Sequence, residues 1–310
     1  MRLAKCICRG HLVPYLAEES NPIGLRNVQT VCIYCNILQG GGWSYYSANM
    51  KTALDYVSRT PILEKEKSFD TDFLVDWIPG ARRSNIVFEQ KDVLVTPILD
   101  SEHWDIDQHG FCILKAKTNL SVEKAFEKEK ETQKACWYEI EALLHDKFPQ
   151  HSRIEGYDFT YRVYEQPARI PHADVSRDGA FMQLSHSFPG QDKFWEAKDF
   201  DITNVWRPLV GPCEDWPLVI LDWTSVDANK DICLNDAIRR DRVDENSLLH
   251  YNPNHKWYYI KDQGPEELLV FRNSDAGGTR SRAFHCAALN PDAAPTLSRQ
   301  SVEVRCVAFY

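Results

Sequence analysis

Apolar residues along this chain fall mostly into short runs separated by turn formers and charges. Between residues 28 and 115 the runs are VQTVCIYCNIL, SNIVFEQKDVLVTPIL and GFCILKAK. Each is the length of a strand or a hairpin, and each is bounded by polar or turn-forming residues. One segment has a different period. From Ser121, a plausible N-cap with Glu123 in the first turn, charged positions alternate with a stripe at Trp137, Ile140, Leu143 and Leu144, and Pro149 follows Phe148. This predicts a long helix over 121–148 that packs one face on a sheet. Strand-like segments then return: YDFTYRVYEQ, ARIPHADV, ITNVWRPLV, WPLVILDW, KWYYIKD, ELLVFRN, RAFHCAAL and SVEVRCVAFY. About eight short strands with Gly, Pro, Asn and Asp between them predict a jelly-roll barrel over 155–310. Residues 1–154 are expected to buttress it within one domain spanning 1–310.

Composition narrows the function classes. The 310 residues carry 36 Lys plus Arg against 45 Asp plus Glu, a formal charge of -9. That balance argues against a role that depends on neutralising nucleic-acid phosphates. No apolar run approaches the roughly 20 residues of a membrane span. The start, MRLAKCICRGHLVPYL, lacks the sustained apolar stretch of a secretory signal, so a cytoplasmic protein with reduced thiols is expected. Cys6, Cys8, Cys32 and Cys35 could in principle hold zinc, but the first pair is spaced by one residue and the second sits in an apolar run. These four, with Cys112, Cys136, Cys213, Cys233, Cys286 and Cys306, are read as small buried hydrophobes.

Specific chemistry begins at Pro171-His172-Ala173-Asp174. Alternate residues of a strand share a face, so His172 and Asp174 would project together into the barrel. Two imidazoles and a carboxylate suit Fe(II) and leave adjacent coordination positions open. His285 in RAFHCAAL is the expected third ligand. Arg299 and Ser301, two apart, could grip a carboxylate through guanidinium and hydroxyl. The distal carboxylate of 2-oxoglutarate fits that grip, with dioxygen as the second co-substrate and a ferryl species as oxidant. Competitors exist for each part: His103-Trp104-Asp105 for the first pair, His255 with Arg272 and Ser274 for the distal set, and Arg305 for Arg299.

Several longer segments carry a family likeness: WDIDQHGF at 104–111, PHADVSRDGA at 171–180, NVWRPLVGPCEDWPLVILD at 204–222, HKWYYI at 255–260, AFHCAAL at 283–289 and SRQSVEVRCVAFY at 298–310. On these the chain resembles the gibberellin desaturase-like and aspergillic-acid hydroxylase-like oxygenases of fungi and bacteria, and is similar to the cephem methoxylation protein. The resemblance implies a double-stranded β-helix, mostly β with supporting helices, that uses non-haem Fe(II) and 2-oxoglutarate. It implies His172, Asp174 and His285 as metal ligands and Arg299 and Ser301 as the co-substrate grip. Asn204, Trp206 and Arg207 would form pocket wall, or else a core strand. Ser274-Asp275-Ala276 stands where relatives carry Y-D-S.

The expected reaction is hydrogen abstraction from a small natural product, amino-acid- or peptide-derived, ending in hydroxylation, desaturation or ring closure. Arg162, Tyr164, Arg207 and Trp257 are candidate substrate contacts. The alternative is a non-catalytic barrel that binds or assists a biosynthetic partner.

Overall fold

The apolar runs form strands because alternation along each of them supplies two buried faces. The computed structural model describes residues 2–8, 11–17, 49–127, 129–163, 168–293 and 299–310. The chain forms two compact units, 1–47 and 48–310. In the first, β1 (Arg2–Cys8) pairs antiparallel with β2 (His11–Ala17). The predicted strand at 28–38, with Cys32 and Cys35, lies outside the described residues, as do the side chains of Cys6 and Cys8.

The second unit opens with β3 (Met50–Val57), β4 (Ser68–Thr71) and β5 (Phe88–Pro97). Then come α1 (Ile106–His109), β6 (Phe111–Lys115), α2 (Val122–Glu127), α3 (Lys130–Lys147) and β7 (Arg153–Val163). The middle holds β8 (His172–Ala173), α4 (Arg177–Ser187), α5 (Asp192–Trp195), β9 (Phe200–Pro208) and β10 (Leu218–Leu221). Last are β11 (Ile232–Ile238), β12 (Val243–Leu249), β13 (Trp257–Tyr259), β14 (Glu267–Asp275), β15 (His285–Ala287) and β16 (Gln300–Phe309).

Among the described residues these strands make a nine-stranded sheet, β3-β5-β13-β10-β15-β8-β12-β11-β4, and a five-stranded sheet, β6-β14-β9-β16-β7. Alternation assigns the faces. On β14, Leu269 and Phe271 join the core that also takes Leu218 and Ile220 of β10, whereas Leu268 and Val270 join the core under α3. Val219 and Leu221 of β10 turn the other way, toward Trp257, Tyr56 and Phe284. The inward faces of two sheets thus share one core, the double-stranded β-helix arrangement. The boundary expected at residue 154 does not divide these sheets, because β3, β4 and β5 belong to the larger and β6 to the smaller.

The predicted helix over 121–148 is two helices. Ser121 accepts from the Lys124 amide through its side chain, and Glu129 occupies the N-cap of α3. Cys136, Ile140 and Leu144 are buried against the outer face of the smaller sheet, with Trp137 and Leu143 alongside. Each fully buried aliphatic side chain there contributes roughly 1.5–3 kcal/mol. The six cysteines from Cys112 to Cys306 are free and buried.

Candidate metal centre and co-substrate pocket

The larger sheet sets β8 between β15 and β12, and His285 pairs directly with His172. Their rings lie 4.4 Å apart, and Phe271 packs on His285 at 4.5 Å. Asp174 follows two residues after His172. Its amide donates to Asn273 Oδ1 at 3.0 Å, tying it to β14. Ser176 then caps α4 by accepting from the Gly179 amide. At Gly179 the backbone of β12 comes so close that a Cβ would lie 1.9 Å from the Glu245 carbonyl oxygen. A side chain there would push α4, and the turn that carries Asp174, away from the sheet.

One donor atom from each of His172, Asp174 and His285 lies within 4.8 Å of the other two. His172 Nδ1 donates to the Ile170 carbonyl at 2.7 Å, since a carbonyl can only accept. That leaves Nε2 facing Asp174 Oδ1 at 3.5 Å. Burial opposes the imidazolium, yet the Asp174 hydrogen bond and charge outweigh it and raise the His172 pKa. Burial and the neighbouring His172 charge push His285 down to about 3, so it presents a neutral lone pair. Burial likewise opposes ionisation of Asp174, but the Arg305 guanidinium and His172 hold its carboxyl well below the usual carboxylate range. Two imidazole nitrogens and an ionised carboxylate converge on one point, a donor set that fits a divalent cation.

The same three residues face a cleft with about 400 Å³ of space, partly open to solvent, whose walls include Arg162, Trp206, Arg299, Ser301 and Glu303. Arg299 lies over the Trp206 ring at 4.9 Å, donates through Nη1 to the Trp216 carbonyl at 3.0 Å, and reaches Ser301 Oγ through Nε at 3.3 Å. Among the described residues it makes no ion pair, and burial lowers its pKa. A half-buried guanidinium with no ion pair among the described residues favours an anionic ligand. Arg305 is differently engaged, 2.9 Å from Asp174 Oδ2.

Of the other predicted contacts, Asn204, Trp206 and Arg162 reach this cleft or the His172, Asp174 and His285 cluster, and two do not. Arg207 alternates with Trp206 on β9 and faces α3 instead, where it donates to the carbonyls of Leu120, Pro208 and Pro265. Trp257 is core, donating from Nε1 to Tyr56 Oη at 2.8 Å. Tyr164 lies outside the described residues. The competing residues are occupied elsewhere: Arg272 pairs with Asp201 and Asp107, His255 with Asp231, and His103 meets the Trp104 ring edge-on. Asp275 accepts from the amides of Gly277, Thr279 and Arg280 and closes a turn.

Two features escaped the sequence reading: Asn204 as a partner of Asp174 and Glu303 in the cleft wall. Burial and the Asp174 charge push the Glu303 carboxyl up to about 7. Stepping by two from Arg299 would have found it, because Ser301, Glu303 and Arg305 share one strand face.

Fold and site together define a double-stranded β-helix protein with a two-histidine, one-carboxylate centre beside a cationic pocket. A family described as "Oxidoreductase/YMDC permease-like domain" matches residues 54–309. The chain belongs to that family.

Among curated relatives it is 33% identical over 156 residues to the Fe(II)/2-oxoglutarate-dependent dioxygenase nvfI of Aspergillus novofumigatus, covering 47% of this chain and 54% of that protein. It is 26% identical over 206 residues to the gibberellin cluster GA4 desaturase of Gibberella fujikuroi, covering 56% of this chain and 58% of the relative. The matched stretches thus span little more than half the length of these relatives. A solved structure of the iron and alpha-ketoglutarate-dependent endoperoxidase NvfI superposes with a TM-score of 0.69 at 22% identity, covering 84% of this chain and 98% of that one. That likeness carries the fold.

Proposed function

We propose that the 48–310 unit is an Fe(II)/2-oxoglutarate-dependent oxygenase acting on a small natural product. The observation that carries this reading is the His172, Asp174 and His285 cluster sharing one cleft with Arg299, a half-buried cation that makes no ion pair among the described residues. Relatives named as a dioxygenase and a desaturase support it. His172, Asp174 and His285 would hold the metal, and Arg299 with Ser301 would take the distal carboxylate of 2-oxoglutarate. Iron and co-substrate, when bound, supply an oxidant derived from dioxygen that can remove a hydrogen atom from a C–H bond.

The chain's own residues then do the positioning. The Ile170 carbonyl fixes the His172 tautomer, Phe271 packs on the His285 ring, and Trp206 supports the Arg299 guanidinium from below. Ala287 and Leu218 line the cleft and limit water there. An amino-acid- or peptide-derived substrate fits the exposed Arg162 at the cleft wall, and hydroxylation, desaturation and ring closure are the outcomes open to such a site. A cytoplasmic location suits the six free, buried thiols. No described helix is long and apolar enough to cross a membrane.

The test is anaerobic addition of Fe(II) and 2-oxoglutarate, reading the weak visible charge-transfer absorption of the chelate. The band is expected in the wild type and absent in His172→Ala and Asp174→Ala. Its absence from the wild type, or its persistence in those variants, would overturn the proposal.

A further inference from the structure

We infer that Asn204 and Arg305 form a clamp on Asp174 that occupies Oδ2 and leaves Oδ1 as the single carboxylate oxygen for the metal. The inference rests on the metal reading above and adds to it the identity of the ligating atom. In the smaller sheet Arg305 of β16 pairs directly with Asn204 of β9. Both reach the same oxygen: Asn204 Nδ2 donates to Asp174 Oδ2 at 2.6 Å, and Arg305 Nη2 lies 2.9 Å from it. Arg305 Nε also donates to Asn204 Oδ1 at 3.2 Å, closing a ring of three side chains. The ring fixes the amide orientation, since turning Asn204 over would set oxygen against carboxylate and N–H against N–H.

The clamp is itself anchored. Arg305 Nη1 donates to Gln183 Oε1 of α4 at 3.2 Å and lies 3.5 Å from Asp158 Oδ2 of β7. Two good donors use the lone pairs of Oδ2, whereas Oδ1 remains turned toward His172 Nε2. A carboxylate held this way binds through one oxygen and leaves one more coordination position free than a chelating one would. The guanidinium reaches Asp174, Asn204, Gln183 and Asp158 together, which a lysine ammonium on a flexible stem cannot do at once.

The measurement is the Mn(II) dissociation constant of the full chain, from the electron paramagnetic resonance of free Mn(II), without co-substrate or turnover. Loss of an outer partner of a ligand weakens binding by roughly 10- to 100-fold, and that is the loss expected for Asn204→Ala and for Arg305→Lys. The double variant should lose no more than about threefold beyond the worse single one, because both act through one oxygen. The visible band of Co(II) should change shape in Asn204→Ala, reporting an altered ligand field.

An Arg305→Lys protein that binds Mn(II) like the wild type would overturn the clamp, as would multiplicative losses or an unchanged Co(II) band. Should either variant fail to fold, Gln183→Ala at the outer end of the chain of contacts decides the matter. It is expected to weaken Mn(II) binding, and wild-type affinity there would overturn the clamp. A wild type that binds no Mn(II) sinks the metal reading itself; a wild type that binds, with indifferent variants, sinks only the clamp.

Discussion

Replacing Arg299 by alanine separates the proposed co-substrate grip from the proposed metal site. In the cleft Arg299 is held by the Trp216 carbonyl, Ser301 and the Trp206 ring, with no ion pair among the described residues. A bound carboxylate would therefore supply an ion pair that the described residues do not. Truncating one partner of a buried, hydrogen-bonded charge pair costs about 2–5 kcal/mol. At about 1.4 kcal/mol per decade, that is a 2-oxoglutarate affinity lower by roughly 30-fold to a few thousand-fold.

Arg305→Ala acts instead through Asp174, so at saturating Mn(II) its effect on 2-oxoglutarate should stay below about tenfold. The assay is calorimetric titration of 2-oxoglutarate into Mn(II)-loaded protein, with circular dichroism to confirm folding. A loss of less than about fivefold in Arg299→Ala, or equal losses in the two variants, would show that the face of β16 has been misread.

Two further outcomes test the surrounding structure. Arg207→Met should lower stability by roughly 2–4 kcal/mol, because three backbone carbonyls lose a charged donor. It should leave 2-oxoglutarate affinity within about twofold; denaturant melts and the same titration check both, and a large affinity loss would put Arg207 back in the pocket. Gly179→Ala forces α4 from β12 and should cost at least about 1–3 kcal/mol, read as a fall in melting temperature. An unchanged melt would mean that the close approach to Glu245 is not maintained in solution.

Much of the smaller sheet was legible because its strands are rich in apolar and aromatic residues: β9, β14 and β16 fall within one or two residues of the segments read from the pattern. The hairpin β11–β12 and the strand β3 were not. In ICLNDAI and VDENSLL the inward positions include polar residues, Asn235, Glu245 and Ser247, all buried. Asn235 donates to Asp70 and Asn246 and accepts from Ser68, so a hydrogen-bond network does there what apolar contact does elsewhere. No apolar pattern announces such a strand. Arg207 was misplaced for a simpler reason: it stands three residues from Asn204, and on a strand an odd separation puts two side chains on opposite faces.

By itself the sequence determined what is local. It set the spacing that puts His172 and Asp174 together, the alternation that lines up Arg299, Ser301, Glu303 and Arg305, and the capping residues that start and stop the helices. Only the tertiary structure decided which distant residues meet. The sheet order sets β15 beside β8 and so brings His285 to His172. The pairing of β16 with β9 gives Arg305 to Asp174, whereas Arg299 makes no ion pair among the described residues. Two arginines on one strand face look alike in a string of letters. What separates them is which charge lies within about 4 Å, a distance that depends on strands far apart in the chain.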